Sequence, residues 1–259
     1  MLTAIIDEID SRPAGTRLVF LSDFDGTLAD FHENPVMPWP TRETQRLLAR
    51  LVERDDLSFG VVSGRRLEDV RARTVLTNRA YFAGLHGLEI AIDNVRWSHP
   101  QLSPARAAVR RLAFALHQMP GHPAGLFIED KDASVAVHLR RVRPPDREAA
   151  EALLDRMVRP FLEAGTVRRL RGELVVEFLP NVDWDKGDAT RWIACDAASR
   201  FGQPAFVVFV GDDQTDEDAF RAIEQGFGVL VGRRTSAARF QLDNTREVTA
   251  LLAWLAGET

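Results

Sequence analysis

Two aspartates separated by one residue, Asp23 and Asp25 in SDFDGTL (22–28), follow directly on an apolar run, Leu18 to Leu21. Carboxylates this close, beside Gly26 in a tight turn, converge on one small volume and repel unless a cation or a shared proton sits between them. A hard, oxygen-seeking cation such as Mg²⁺ fits that demand. An aspartate at a strand end also begins turns and caps helices, so the pair alone leaves both readings open. AFVVFVGDDQTDEDAF (205–220) repeats the arrangement: Asp212, Asp213 and Asp216 come just past a second apolar run and Gly211. Asp212 stands where a ligand to a metal shared with Asp23 has to be. Thr215 is expected to cap the helix that follows. Glu217 and Asp218 fall in its first turn, where the helix dipole favours acids without any chemistry. Lys186, in WDKGDA (184–189), opens another helix. A cation is unfavourable there unless carboxylates or a phosphate lie near; otherwise it is an ordinary surface lysine. Ser63 and Gly64, in VVSGRR (61–66), offer a hydroxyl and backbone N–H groups to phosphate oxygens, although SGR is also a common turn.

These residues need a scaffold that gathers strand ends. LVFL, LSFGVV, YFAG, AFVVFV and FGVLVG are short apolar runs that read as buried strands. Helical patterns alternate with them: Leu47, Leu48, Leu51 and Val52 share one face of TRETQRLLARLVER, residues 65–73 look helical, and DKGDATRWIACDAASR, TDEDAFRAIEQ and VTALLAWLAG follow later. The rhythm predicts an α/β fold with a parallel sheet, whose chemistry collects at the carboxyl ends of its strands. A short polar lead precedes residue 17, and FHENPVMPWP (31–40), with three prolines, is a loop.

The middle of the chain differs. Ser103 and Pro104 are the expected N-cap and first residue of a helix. GLFIEDK and SVAVHLR form a hairpin. A second helix is interrupted or ended near Pro160, and TVRRLRG and ELVVEFLP pair around Gly172. This helix–hairpin–helix–hairpin unit predicts an inserted α+β domain at 103–180, within a larger domain split between 1–102 and 181–259.

With 259 residues, 45% hydrophobic and 27% charged, the chain is long enough to bury a real core. Thirty-three basic against thirty-eight acidic side chains give a net charge of -5, which argues against a nucleic-acid or anionic-membrane partner while leaving room for a local basic pocket. The single Cys195 excludes an internal disulfide framework and a cysteine-built metal cluster. MLTAIIDEIDSR carries acids where a secretory signal carries base, and no uncharged stretch reaches membrane-spanning length. A cytoplasmic, soluble monomer is the expectation.

Taken in order, DFDGTL, Ser63, Lys186 and GDDQTD resemble the four motifs of the haloacid-dehalogenase-like (HAD) phosphatases. The resemblance implies a Rossmann-like HAD core with an inserted α+β cap. Within that superfamily GLHGLE (84–89), EDKDASVAVHLR (129–140), WDKGDA and GDDQTDEDAF look like the trehalose-6-phosphate phosphatases, over most of the chain. By that resemblance Asp23 is the nucleophile and forms an aspartyl phosphate. Asp25 is the acid and base, and Ser63, Gly64 and Lys186 hold the phosphoryl oxygens. Mg²⁺ is held by Asp23, the backbone carbonyl of Asp25 and Asp212, with Asp216 or Asp213 placing metal-bound water or Lys186. The cap residues for sugar hydroxyls are Glu129, Lys131 and Glu177, with His138 and Arg140 as further candidates, and the cap is expected to close over the sugar.

One position departs from the family. EFLP (177–180) puts Leu179 where a basic residue often precedes the proline, and leucine cannot hydrogen-bond a hydroxyl. Either another residue compensates, or the substrate is another sugar phosphate, of the sucrose or glucosylglycerol type. A catalytically silent phosphosugar-binding domain is a third reading, and the intact charge cluster weighs against it. Neither a dinucleotide fingerprint nor a Walker lysine string is present.

Overall fold

The computed structural model describes residues 1–32, 36–77, 79–172 and 174–258. In chain order its elements are α1 (Leu2–Asp10), β1 (Arg17–Ser22), α2 (Arg42–Val52), β2 (Leu57–Val62), α3 (Leu67–Thr74), β3 (Tyr81–Gly84), β4 (Glu89–Ile92) and β5 (Val95–Ser98). Then come α4 (Leu102–His117), β6 (Phe127–Asp130), β7 (Val135–His138), α5 (Arg147–Glu163), β8 (Val167–Gly172) and β9 (Val175–Pro180). The chain ends with α6 (Lys186–Phe201), β10 (Ala205–Gly211), α7 (Asp216–Ala222), β11 (Gly226–Val231), β12 (Phe240–Leu242) and α8 (Thr245–Leu255). Two compact units result: Met1–Trp97 with Trp184–Thr259, and Ser98–Asp183.

The larger unit is built on an eight-stranded sheet in the order β12-β11-β10-β1-β2-β3-β4-β5. From β12 to β3 the pairs are parallel. β1 is buried at every residue, as a central strand covered on both faces must be. Its alternate residues feed two separate cores. Leu18 and Phe20 join Phe59, Val208, Leu47 and Leu251, while Val19 and Leu21 join Phe209, Ile193 and Phe220. So α1, α2, α3 and α8 cover one face and α6 and α7 the other. The strand order reverses direction at β1, which has β10 on one side and β2 on the other, and this opens the crevice where such sheets bind ligands.

The smaller unit is a four-stranded antiparallel sheet, β6-β7-β9-β8. Ile128, Val137 and Val176 lie in register on the face that packs against Leu112 and Leu116 of α4 and Leu154 and Val158 of α5. The next register row, Glu129, Ala136, Glu177 and Leu170, therefore faces the other way.

Several sequence expectations need correction. The lead before residue 17, read only as polar, carries a helix: Ile5 and Ile9, four residues apart among acids, bury one side of α1. α4 starts at Leu102 with Gln101 in the cap position, so Ser103 and Pro104 sit inside the first turn, where a missing proline N–H has no partner to lose. α5 runs through Pro160 to Glu163; Pro160 faces solvent while Phe161 and Leu162 pack on the core. The sheet also carries β4, antiparallel to β3, with β5 beyond it, and the three-residue β12 at the opposite edge. Thr215 stands at the start of α7 without capping it; its hydroxyl points instead at Asp213 Oδ2, 3.4 Å away.

Candidate active site

Asp23 and Asp212 leave the ends of neighbouring strands, β1 and β10, which are in register from Arg17–Ala205 to Ser22–Val210. The Asp23 N–H continues that ladder by donating to Val210 O at 2.8 Å. The chain then folds back on itself: Leu28 and Ala29 N–H groups both bond to Phe24 O at 3.0 Å, and Gly26 N–H bonds to Ala29 O at 2.8 Å. Gly26 has φ +73°, and a Cβ there would lie 2.1 Å from Asp212 Oδ2. Only glycine lets the second acidic loop close on the first. Thr27 finishes the join by donating its hydroxyl to Asp212 Oδ1 at 3.2 Å.

Lys186 is the first residue of α6, whose start is fixed by a capping box between Asp185 and Asp188. It is 2% exposed, not a surface lysine. Its ammonium donates to Asp216 Oδ1 at 2.7 Å and lies 3.1 Å from Asp23 Oδ2. Asp216, wholly buried, accepts from the Asp213 N–H at 2.9 Å with its other oxygen. Asp213 itself is exposed. Oxygens of Asp23, Asp212 and Asp216 all lie within 4.8 Å of one another. Two carboxylates thus hold one ammonium and a third stands beside them, in a place largely closed to water.

The electrostatics follow from that imbalance. Burial raises the Asp23 carboxyl well above its usual range; Lys186 opposes the rise, and Asp216, Asp212 and Asp25 add to it. Burial, with Asp216 and then Asp213, pushes Asp212 up to about 7. Burial alone would lower Lys186, but Asp216 and Asp23 carry it above the ordinary lysine value. A divalent cation among oxygen donors is what this donor set fits, because it removes the excess negative charge that one lysine leaves.

Ser63 directly follows β2 and is 1% exposed. Its Oγ accepts from the Arg65 N–H at 3.2 Å, which fixes the turn and leaves the hydroxyl proton to donate. Arg65 grips both oxygens of Asp25, with Nη2 to Oδ1 at 2.6 Å and Nε to Oδ2 at 2.7 Å. Asp25 therefore stands beside the buried carboxylate group with its own carboxylate turned onto Arg65. Burial works to lower Arg65, but Asp25 and Asp69 hold its pKa above the ordinary value.

Three features were given no individual task in the sequence reading, although GLHGLE (84–89) carried part of the resemblance. Arg65 was legible only as the third residue of a common turn. Glu217 is not a solvated first-turn acid: it is 2% exposed, accepts from Ser236 Oγ and Ala237 N–H at 2.7 Å each, and pairs with Arg234. Leu85, His86 and Gly87 have φ of 53°, 56° and 94°, three left-handed residues in succession. For the two that are not glycine this costs on the order of 1–2 kcal/mol each.

In the smaller unit Glu129 and Glu177 flank the small Ala136 on the face away from α4 and α5. His138 Nε2 lies 3.0 Å from Glu129 Oε2. Lys131 Nζ donates to Glu177 Oε1 at 3.1 Å and Ser134 Oγ donates to the same oxygen at 2.7 Å. Burial would raise Glu129, but His138 and Lys131 hold it below its usual range. Arg140 lies two residues past the end of β7, and its carbonyl accepts from Arg147 at 3.4 Å. Leu179 is 2% exposed, and Arg168 stands opposite it in β8.

Comparison with known proteins bears on the whole arrangement. The trehalose-phosphatase family model matches residues 21–246. Trehalose-phosphate phosphatase B of Arabidopsis thaliana is 28% identical over 262 residues, covering 96% of this chain and 68% of that protein. An uncharacterized glycosyl hydrolase of Mycobacterium tuberculosis is 37% identical over 264 residues; they cover 95% of this chain, which spans only 18% of that longer protein. Among solved structures, the C-terminal domain of Candida albicans trehalose-6-phosphate phosphatase superposes with a TM-score of 0.83 at 20% identity, covering 100% of this chain and 97% of that one, a likeness of fold.

Proposed function

The chain belongs to the trehalose-phosphatase family, and from that premise we propose that it hydrolyses trehalose 6-phosphate to trehalose and phosphate. The observation that carries the reading is the buried Lys186 ammonium between Asp23 and Asp216, with Asp212 completing the group. A binding-only domain has no need to bury so much like charge.

In the proposed reaction an Asp23 oxygen attacks phosphorus in line. The Asp23–phosphorus bond forms as the bond from phosphorus to the sugar oxygen breaks. Asp25, turned off Arg65 and protonated from solvent as substrate binds, gives that oxygen its proton, then takes one from the water that attacks the aspartyl phosphate and releases inorganic phosphate. Lys186, the Ser63 hydroxyl and the Gly64 N–H hold the phosphoryl oxygens as charge builds on them. Mg²⁺, held by Asp23, Asp212 and the Asp25 carbonyl with Asp216 beside them, would supply the positive charge that lets one anion approach another.

Glu129, Lys131, His138 and Glu177 are the proposed partners of the sugar hydroxyls. Their side chains are already paired with one another, so each is oriented before a hydroxyl arrives. Leu179 favours one second reading, a phosphatase for a sucrose- or glucosylglycerol-type phosphate, because a buried leucine offers no hydrogen bond on that face. Phosphate release from purified sugar phosphates separates the two.

A further inference from the structure

The segment Leu85–Gly87 is tied down on two sides. On one side the Leu85 N–H donates to Arg65 O at 2.8 Å and the His86 N–H to Ser63 O at 3.0 Å, so it wraps the Ser63–Arg65 turn. On the other side Trp184 Nε1 donates to Gly87 O at 2.9 Å, and Gly87 lies so close to α6 that a Cβ on it would come 2.3 Å from Ala189 Cβ. The segment thus braces the serine turn against the helix that begins with Lys186. Consecutive left-handed residues with side chains are avoided unless their surroundings impose them, and such strain collects where a side chain has a task.

Leu85 is 2% exposed and has a packing task. His86 is 7% exposed, and its imidazole occupies the space above Gly64: a Cβ at residue 64 would meet Nε2 at 2.7 Å and Cε1 at 2.8 Å. Packing alone would be served by an apolar side chain, which carries no desolvation cost. Glycine at position 86 would relieve the strain and give up the ring. The conformation therefore places an imidazole nitrogen at the turn that presents the Ser63 hydroxyl and the Gly64 N–H.

We propose that His86 is a further binding residue of this centre, and that its imidazole contacts, together with Ser63 and Gly64, an oxygen of the substrate's phosphoryl group. The inference rests on the reading of Ser63 and Gly64 as the phosphate-binding turn. It makes His86 indifferent to the sugar, because every phosphomonoester shares that oxygen.

The test compares His86→Asn, which tolerates the left-handed backbone, and His86→Gly, which relaxes it, with the wild type in the presence of Mg²⁺. Both variants are expected to raise KM for a small aryl phosphate and the competitive inhibition constant of inorganic phosphate by about tenfold, the loss of one charge-assisted contact. The melting temperature is expected to be kept in His86→Asn and raised in His86→Gly. The same loss is expected with trehalose 6-phosphate. In wild-type protein labelled with ¹⁵N-histidine, inorganic phosphate is expected to shift the imidazole signal that is missing from the spectrum of either His86 variant; this readout serves even if one of the two folds poorly. An unmoved signal, or an inhibition constant within about twofold of wild type in both folded variants, overturns the inference. Ser63→Ala is the companion. If it weakens phosphate binding and the His86 variants do not, the turn stands without His86; if neither change matters, the reading of the turn fails as well.

Discussion

Arg65 holds both carboxylate oxygens of Asp25, at 2.6 and 2.7 Å, and its remaining nitrogen donates to Asp69 at 2.9 Å. Asp69 in turn accepts from Arg73 at 2.8 Å, and Arg73 donates to the carbonyls of Val36 and Pro38 at 3.0 and 2.6 Å. An ion-paired ladder therefore runs from the candidate acid to the loop that follows the Asp23–Ala29 turn. A planar guanidinium fixes a carboxylate in two directions at once, which an ammonium cannot do.

That relationship gives a prediction for the leaving group. Asp25→Asn is expected to slow the burst of alcohol release from a sugar phosphate far more than from an aryl phosphate, because a good leaving group needs little protonation. Arg65→Lys, which keeps the charge and loses the fork, is expected to follow the same pattern with a smaller loss. Rapid-quench burst rates decide it: equal slowing on both substrate types removes Asp25 from the role of acid.

Asp23→Asn keeps the size of the side chain and removes the attacking anion. Turnover is expected to fall by several orders of magnitude, with no labelled phosphate retained on the protein after acid quench. Near-normal turnover in a preparation free of wild-type enzyme would rule out Asp23 as the nucleophile.

Stripping metal is expected to abolish turnover, and Mg²⁺ to restore it. Asp212→Ala is expected to raise the Mg²⁺ concentration needed for half activation, since it removes one of few protein oxygens. Elemental analysis of the stripped protein is the control, and wild-type turnover in metal-free protein contradicts the account.

The smaller unit's charged face is expected to act on the sugar alone. Glu129→Ala, Lys131→Ala or Glu177→Ala each removes a charged hydrogen-bond partner, worth roughly 1.5–3 kcal/mol. Each is therefore expected to lower kcat/KM for trehalose 6-phosphate by about one to two powers of ten and to leave a small aryl phosphate nearly unaffected. Parallel loss on both substrates would point to packing instead. Leu179→Arg is expected to help little, because the position is buried and Arg168 already stands across from it.

The core of the site was legible because its parts sit at breaks in a strong pattern. Asp23, Asp212 and Ser63 each follow an apolar run, and the parallel register of β1 with β10 and β2 places those ends side by side. The orientation of side chains was not legible. Nothing in the string DFDGTL says that Asp25 turns to Arg65, because that depends on where β2 ends relative to β1. His86 was hidden for a related reason: a left-handed backbone at Leu-His-Gly runs against local preference, and only the neighbouring turn and α6 impose it. β4 and β12 were missed because each is short, and α1 because only Ile5 and Ile9 of it are buried, so that tertiary packing outweighs a weak local signal.

The most direct test of the central claim is the ratio of kcat/KM values for phosphate release from trehalose 6-phosphate, sucrose 6-phosphate and glucosylglycerol phosphate. It is measured with Mg²⁺ on the wild type, with Asp23→Asn as the blank. The expected result is a preference for trehalose 6-phosphate of about tenfold or more, with the activity lost in the blank. A higher kcat/KM for either other sugar phosphate, or no release from any of them, would contradict it.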